Sequence, residues 1–118
     1  YDDPRMLATV ARMEETLMPD GWLLRYRTTG VDGLTGDEHP FLACSFWLVG
    51  QYAHSGRRDE ALALMQRLTA VANDLGLLSE EYDPTTGRQA GNTPQALSHL
   101  ALVGAADALD ATAPTRED

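Results

Sequence analysis

Lysine is absent from this 118-residue chain: its nine basic residues are all arginine, they face 18 acidic ones, and the net charge is −9. The missing lysine reads as a bias of the coding genome and not as a device of the protein. With no basic cluster, the chain is not expected to bind nucleic acid or an anionic membrane, because neutralising phosphates takes clustered positive charge. Long apolar runs are lacking as well. The longest, Phe41 to Val49, is interrupted by Ser45 and is far too short to span a bilayer. Tyr1-Asp2-Asp3-Pro4 has neither the positive start nor the apolar stretch of a signal peptide. An initiator Met is missing too, so the natural start is expected elsewhere. Cys44 is the single cysteine, which rules out an internal disulfide, and no Cys/His spacing suggests a metal site. No cofactor is expected, and a reducing, cytoplasmic setting is favoured.

What is present suits one folded segment. Hydrophobic residues make up 43% and charged residues 23%, so residues 1–118 read as a single unit with no room for two domains. Four helices are expected. The first follows Asp2-Asp3-Pro4, an acid at the N-cap and then Pro at the first helical position. Met6, Leu7, Val10, Met13 and Leu17 form its stripe, and Met18-Pro19-Asp20-Gly21 stops it. Trp22 to Arg27 reads as extended by its alternation, and Thr28 to His39 as a long surface loop.

The second helix is expected from Pro40, apolar nearly all round and hence buried on several sides. Ser55-Gly56-Arg57 connects it to a third, antiparallel helix from about Arg58 to Leu75, with Gly76 just past its end. Asp83-Pro84-Thr85-Thr86-Gly87 is a turn, Pro presetting φ and Gly supplying a positive φ. Thr93-Pro94 repeats the N-cap and N1 proline signal for a fourth helix ending near Ala111, and residues 112–118 form a polar tail. In that helix Gly104, Ala105, Ala106 and Ala108 allow a close approach. The fold class is therefore all-α, two helical pairs with one extended excursion. A helix apolar on all sides has too few neighbours in four helices. An apolar patch over Phe41, Phe46 or Trp47, covered by a partner or by the rest of a larger protein, is the expected consequence.

Chemistry concentrates in Leu78-Ser79-Glu80-Glu81-Tyr82-Asp83. Two adjacent carboxylates in a loop tend to point in different directions, so one can face a pocket while its neighbour faces an Arg. A general base needs such a carboxylate near water in a partly enclosed site. In so acidic a chain the pair alone is weak evidence, since solvated loop acids are common.

That run, with Thr86-Gly87-Arg88-Gln89, Gly91-Asn92, Pro94-Gln95-Ala96 and Ser98-His99 after it, resembles the last loop and helix of family 15 glycoside hydrolases. These are the glucoamylases and their bacterial glucodextranase-like and trehalase-like relatives. Phe41-Leu42-Ala43-Cys44-Ser45-Phe46-Trp47-Leu48-Val49 resembles the inner helix before them. Asp2-Asp3-Pro4-Arg5-Met6 and Leu24-Arg25-Tyr26 are similar to bacterial members, so the resemblance covers almost the whole chain in order. It implies the C-terminal portion of an (α/α)6 toroid, in which the rest of the toroid or an oligomer partner covers this segment. It also implies an inverting enzyme acting on an α-glucoside or oligosaccharide, with Glu80 as general base and the opposing acid outside this chain. The same resemblance gives Arg25 to the hydroxyls of the bound sugar and Glu81 to substrate binding, each against the plainer reading of a solvated residue. His39-Pro40, Thr93 and Leu97 depart from the family pattern near the expected mouth of the site.

The remaining residues have ordinary readings. Asp37 and Glu38 are expected to line a loop, His99 to be a hydrogen-bonded packing residue, Trp47 core, and Cys44 an inert thiol. Two competing functions remain open. One is a tetratricopeptide-like interaction module, suggested by Val49 to Ala53 and Ser55 to Leu62 but lacking a second copy at the required period. The other is a catalytically dead relative that binds carbohydrate.

Overall fold

The computed structural model describes residues 1–27 and 38–115. Most of the expected Thr28–His39 loop, Asp37 included, and the last three residues of the tail lie outside the described residues. The chain is mainly helical: α1 (Pro4–Leu17), α2 (Leu42–His54), α3 (Arg58–Thr69) and α4 (Ala96–Ala111). The all-α expectation holds except for one antiparallel two-stranded ribbon, β1 (Glu81–Asp83) and β2 (Arg88–Ala90). No helix among the described residues is long and apolar enough to cross a membrane.

Helix α1 begins as its sequence dictates. Pro4 occupies the first turn, and the Asp3 carboxylate accepts the Arg5 backbone N–H at 2.8 Å. Only Val10 of its apolar stripe is buried, whereas Met6 and Leu7 are exposed. Helix α2 is the axis of the core, packed on both α3 and α4. Gly50 makes the second contact close: a Cβ there would already meet that of Ala108 at 3.8 Å. Phe41 and Phe46 are enclosed, which corrects their place in the expected apolar patch; Trp47, 55% exposed, is not core.

Three boundaries differ from expectation, each because a hydrogen bond outside the helix captures a local signal. Helix α2 starts at Leu42, not Pro40. The Pro40 carbonyl accepts from Tyr82 N–H (3.1 Å) and the Phe41 N–H donates to Leu23 (3.2 Å), so both residues serve as strand-like cross-links. Helix α3 ends at Thr69, not Leu75, because the Asn73 side-chain oxygen takes the N–H groups of Leu75 (3.0 Å) and Leu77 (2.8 Å). An Asn that bonds its own neighbourhood competes with the helix, and Gly76 closes that turn at φ +75°. Helix α4 starts at Ala96 and not at Pro94, since the Gln95 N–H is committed to the Leu78 carbonyl at 2.9 Å.

Trp22 to Arg27 forms no regular strand, and Trp22 and Leu23 are both buried instead of alternating. Leu23 is tied on two sides: its N–H donates to Ser45 Oγ (3.0 Å) and its carbonyl accepts from Phe41. The result is a slab of 55 × 38 × 21 Å, with the ribbon and the Leu23 junction at the N-terminal end of α2.

Candidate active site

The segment Leu78 to Tyr82 is held at every residue. Leu78 N–H donates to His99 Nε2 (3.1 Å), so His99 is the hydrogen-bonded anchor expected of it. Ser98 Oγ donates to the Ser79 carbonyl (2.7 Å), and Ser79 Oγ to the Glu81 carbonyl (2.5 Å). The Ser79 and Ser98 side chains are fully buried, so their hydroxyls serve this loop and not solvent. Glu80 N–H donates to Asn92, and its carbonyl accepts from Leu42 at the start of α2. Register then pairs Glu81 with Ala90 and Asp83 with Arg88. The turn beyond is closed by Gly87 at φ +70° and by the Asp83 carboxylate, which accepts from Thr85 N–H and Thr86 Oγ1. Those bonds hold the Asp83 carboxyl below its ordinary value, the Thr86 hydroxyl foremost.

The two adjacent glutamates enter different environments. Glu80 turns toward Gly91 and Asn92, and its Oε2 accepts from Asn92 Nδ2 (2.9 Å) and Asn92 N–H (3.2 Å). Its Oε1 accepts no hydrogen bond among the described residues. Gly91, at φ +74°, leaves the room: a Cβ there would lie 3.0 Å from both the Glu80 Cβ and Oε2.

Glu81 faces the other way, toward Arg25 and Glu38. Arg25 Nη2 lies 2.8 Å from Glu38 Oε1 and 3.9 Å from Glu81 Oε1, and Nε donates to the same Glu38 oxygen at 3.0 Å. Burial pushes the Glu81 carboxyl up, and the charges of Glu38 and Glu80 add to this against the opposing pull of Arg25 and His39. Burial works against the Arg25 charge, yet the bond to Glu38 outweighs it and raises the guanidinium. The fold therefore brings Arg25 and Glu81 together and keeps the carboxylate of Glu80 apart from them.

Sequence reasoning misses Glu38. It expects a loop residue without chemistry, but the side chain is only 11% exposed and ion-paired. Nothing in the local sequence separates it from Asp37; the partner that distinguishes it comes from thirteen residues upstream. Glu38 also borders an open hollow of about 230 Å³ together with Trp22, His39, Pro40 and Asp83. Trp22 packs against Tyr82 at 4.9 Å and lies under Arg67 at 4.7 Å, so it forms a fixed aromatic side of that hollow. Among the described residues no group of three or more His, Cys, Asp or Glu is arranged to hold a metal ion.

Residues 1–107 match the family described as Glycosyl hydrolases family 15. The chain belongs to that family. One relative is the trehalase of Mycolicibacterium smegmatis, 48% identical over 105 residues, which are 88% of this chain and 16% of that protein. The trehalase of Mycobacterium tuberculosis is 46% identical, over 88% of this chain and 15% of its own length. The trehalase of Thermoplasma acidophilum is 44% identical over 110 residues, 92% of this chain and 19% of that protein. The likeness thus extends beyond bacteria to an archaeal protein. The chain spans less than a fifth of the length of these relatives. No solved structure matches the chain significantly.

Proposed function

We propose that this segment is the C-terminal part of the catalytic toroid of an inverting glycoside hydrolase that cleaves an α-glucosidic bond. Trehalose is the substrate of choice, because the relatives at 44–48% identity are named trehalases. Glu80 is the general base, and Arg25 and Glu81 bind the sugar. An inverting enzyme activates water with one carboxylate while an acid across the bond, roughly 6.5–9.5 Å away, protonates the leaving oxygen. The observation that carries the base assignment is the asymmetry of Glu80. One oxygen is fixed by both donors of Asn92 and the other is left to orient a water.

The toroid is supported by what the segment leaves uncovered. Trp47, Leu100 and Val103 are each more than half exposed. Trp47 stands between two open apolar grooves, one of about 220 Å³ against α1 and one of about 550 Å³ against α4. The remaining helices of the parent, or an oligomer partner, cover these faces.

The test is kinetic and uses the full-length enzyme. Glu80→Gln keeps shape and hydrogen-bond reach but removes the basic oxygen, so kcat should fall by about 10²–10⁴ with KM little changed. Glu81→Gln should be milder. Near-normal activity in Glu80→Gln, with loss in Glu81→Gln, would move the base to position 81. Normal activity in both would remove the catalytic assignment. The 118-residue segment alone should show no turnover, since a base without its acid performs half of the reaction.

A further inference from the structure

A sugar-binding arginine has to be held, because a long flexible side chain gives up rotamer freedom when it meets a hydroxyl. Arg25 lies on a stretch with no regular structure, and the backbone does not hold its head. Glu38 does. A single oxygen, Oε1, takes Arg25 Nε at 3.0 Å and stands 2.8 Å from Nη2. Below, the guanidinium packs over the Tyr26 and Phe41 rings, each 4.9 Å away. Glu38 is anchored in turn through Pro40 and Phe41, since the Pro40 carbonyl is bonded to Tyr82 and the Phe41 N–H to Leu23. Arg25 Nη1 donates to no group among the described residues, and the side chain remains 37% exposed.

We propose that Glu38 is a positioning residue for substrate binding: it clamps the Nε–Nη2 edge of Arg25 so that Nη1 projects toward the hydroxyls of an α-glucoside. This rests on the reading of the site given above. A planar fork gripped along one edge can present its other edge in only one direction. The clamp also compensates the arginine charge, so an uncharged sugar meets an oriented donor and not a bare cation.

The full-length enzyme tests this with a cycle of Arg25→Ala, Glu38→Ala, the double variant and Glu38→Gln, read as KM and kcat on trehalose. The same cycle is then read as calorimetric Kd for trehalose in the Glu80→Gln background. Losing a charged donor to the sugar should weaken binding on the order of 10- to 100-fold in Arg25→Ala. Glu38→Ala should reproduce most of that loss in KM, with kcat within a few fold. Glu38→Gln, which keeps an oxygen for Nε, should recover part of it. The double variant should be no worse than Arg25→Ala. Losses that multiply in the double variant would overturn the proposal, as would a Glu38→Ala that lowers thermal stability and leaves KM unchanged. An active Glu80→Gln would sink the base assignment, while the coupling on KM would still report on Glu38.

Discussion

Gly91→Ala isolates the contact on which the base assignment depends, and the structure supplies its own control. Gly91 has φ +74° and Gly87 has φ +70°, so alanine carries the same backbone penalty at either site, about 1–2 kcal/mol. They differ in what the new methyl meets. At Gly87 it would find only Tyr82 Oη at 3.8 Å, an ordinary contact. At Gly91 it would stand 3.0 Å from the Glu80 Cβ and 3.0 Å from Oε2. The Oε2 contact can be relieved by rotation, but the Cβ cannot move without the backbone. That backbone is bonded on one side to Asn92 and on the other to Leu42. The carboxylate therefore swings off Asn92 Nδ2, or the loop shifts by several tenths of an ångström. Misplacing a reacting group by about 1 Å costs roughly 10²-fold in rate. In the full-length enzyme Gly87→Ala should lower stability with kcat near wild type, and Gly91→Ala should lose about 10- to 100-fold in kcat besides. Steady-state kinetics with parallel thermal unfolding separates the two. Equal kcat in both variants would refute the claim that the orientation of Glu80 matters.

Ser98→Ala removes the donor to a fully buried Ser79 carbonyl and should destabilise the enzyme by about 1–3 kcal/mol in denaturant titrations; a loss below about 0.5 kcal/mol would show that the bond is dispensable. Glu14 joins α1 to the rest through Arg57 Nη2 (2.7 Å) and the Tyr52 hydroxyl; burial opposes its charge, but these bonds win and hold its carboxyl below the ordinary 4.5. Its stabilisation is thus fully present above about pH 4.5 and lost as pH falls through the lowered folded value, so wild type and Glu14→Gln should differ in unfolding midpoint at pH 7 and converge in acid; a difference independent of pH would contradict the ion pair.

Local chemistry is legible wherever it acts locally. Asp3 and Pro4 start α1, the all-round apolar run of α2 sits at the centre of the core, and the Pro84–Gly87 turn closes a ribbon. The Glu80–Glu81 loop stands out by its motif, and the fold does bring Glu81 to Arg25. What depends on partners outside the local pattern cannot be read. Asn73 looks like one more polar residue on the α3 face, yet its side chain gathers the N–H groups of Leu75 and Leu77. Pro40 and Pro94 look like helix starts, yet the Pro40 carbonyl is committed to Tyr82 and the Gln95 N–H just after Pro94 to Leu78. Glu38 acquires meaning only from Arg25, and no periodicity links the two.

The different surroundings of Glu80 and Glu81 have one structural origin. Both sit where the chain enters β1, and successive side chains of extended backbone point to opposite sides. Phe41 bridges to Glu81, and Leu42 N–H bonds the Glu80 carbonyl, so the start of α2 fixes which glutamate faces which way. On the Arg25 side Glu38 is already present, so Glu81 enters as a second carboxylate beside one guanidinium; burial first, and the charge of Glu38 next, push its carboxyl up. On the other side Glu80 faces both amide donors of Asn92, which fix one oxygen, and it packs closely over Gly91, where a Cβ would stand 3.0 Å from it. Exchanging their surroundings would take more than a substitution: the pairing of Pro40 and Leu42 with Tyr82 and Glu80 would have to slip by one residue, and the bonds that pin Leu78, Ser79 and Tyr82 would break with it.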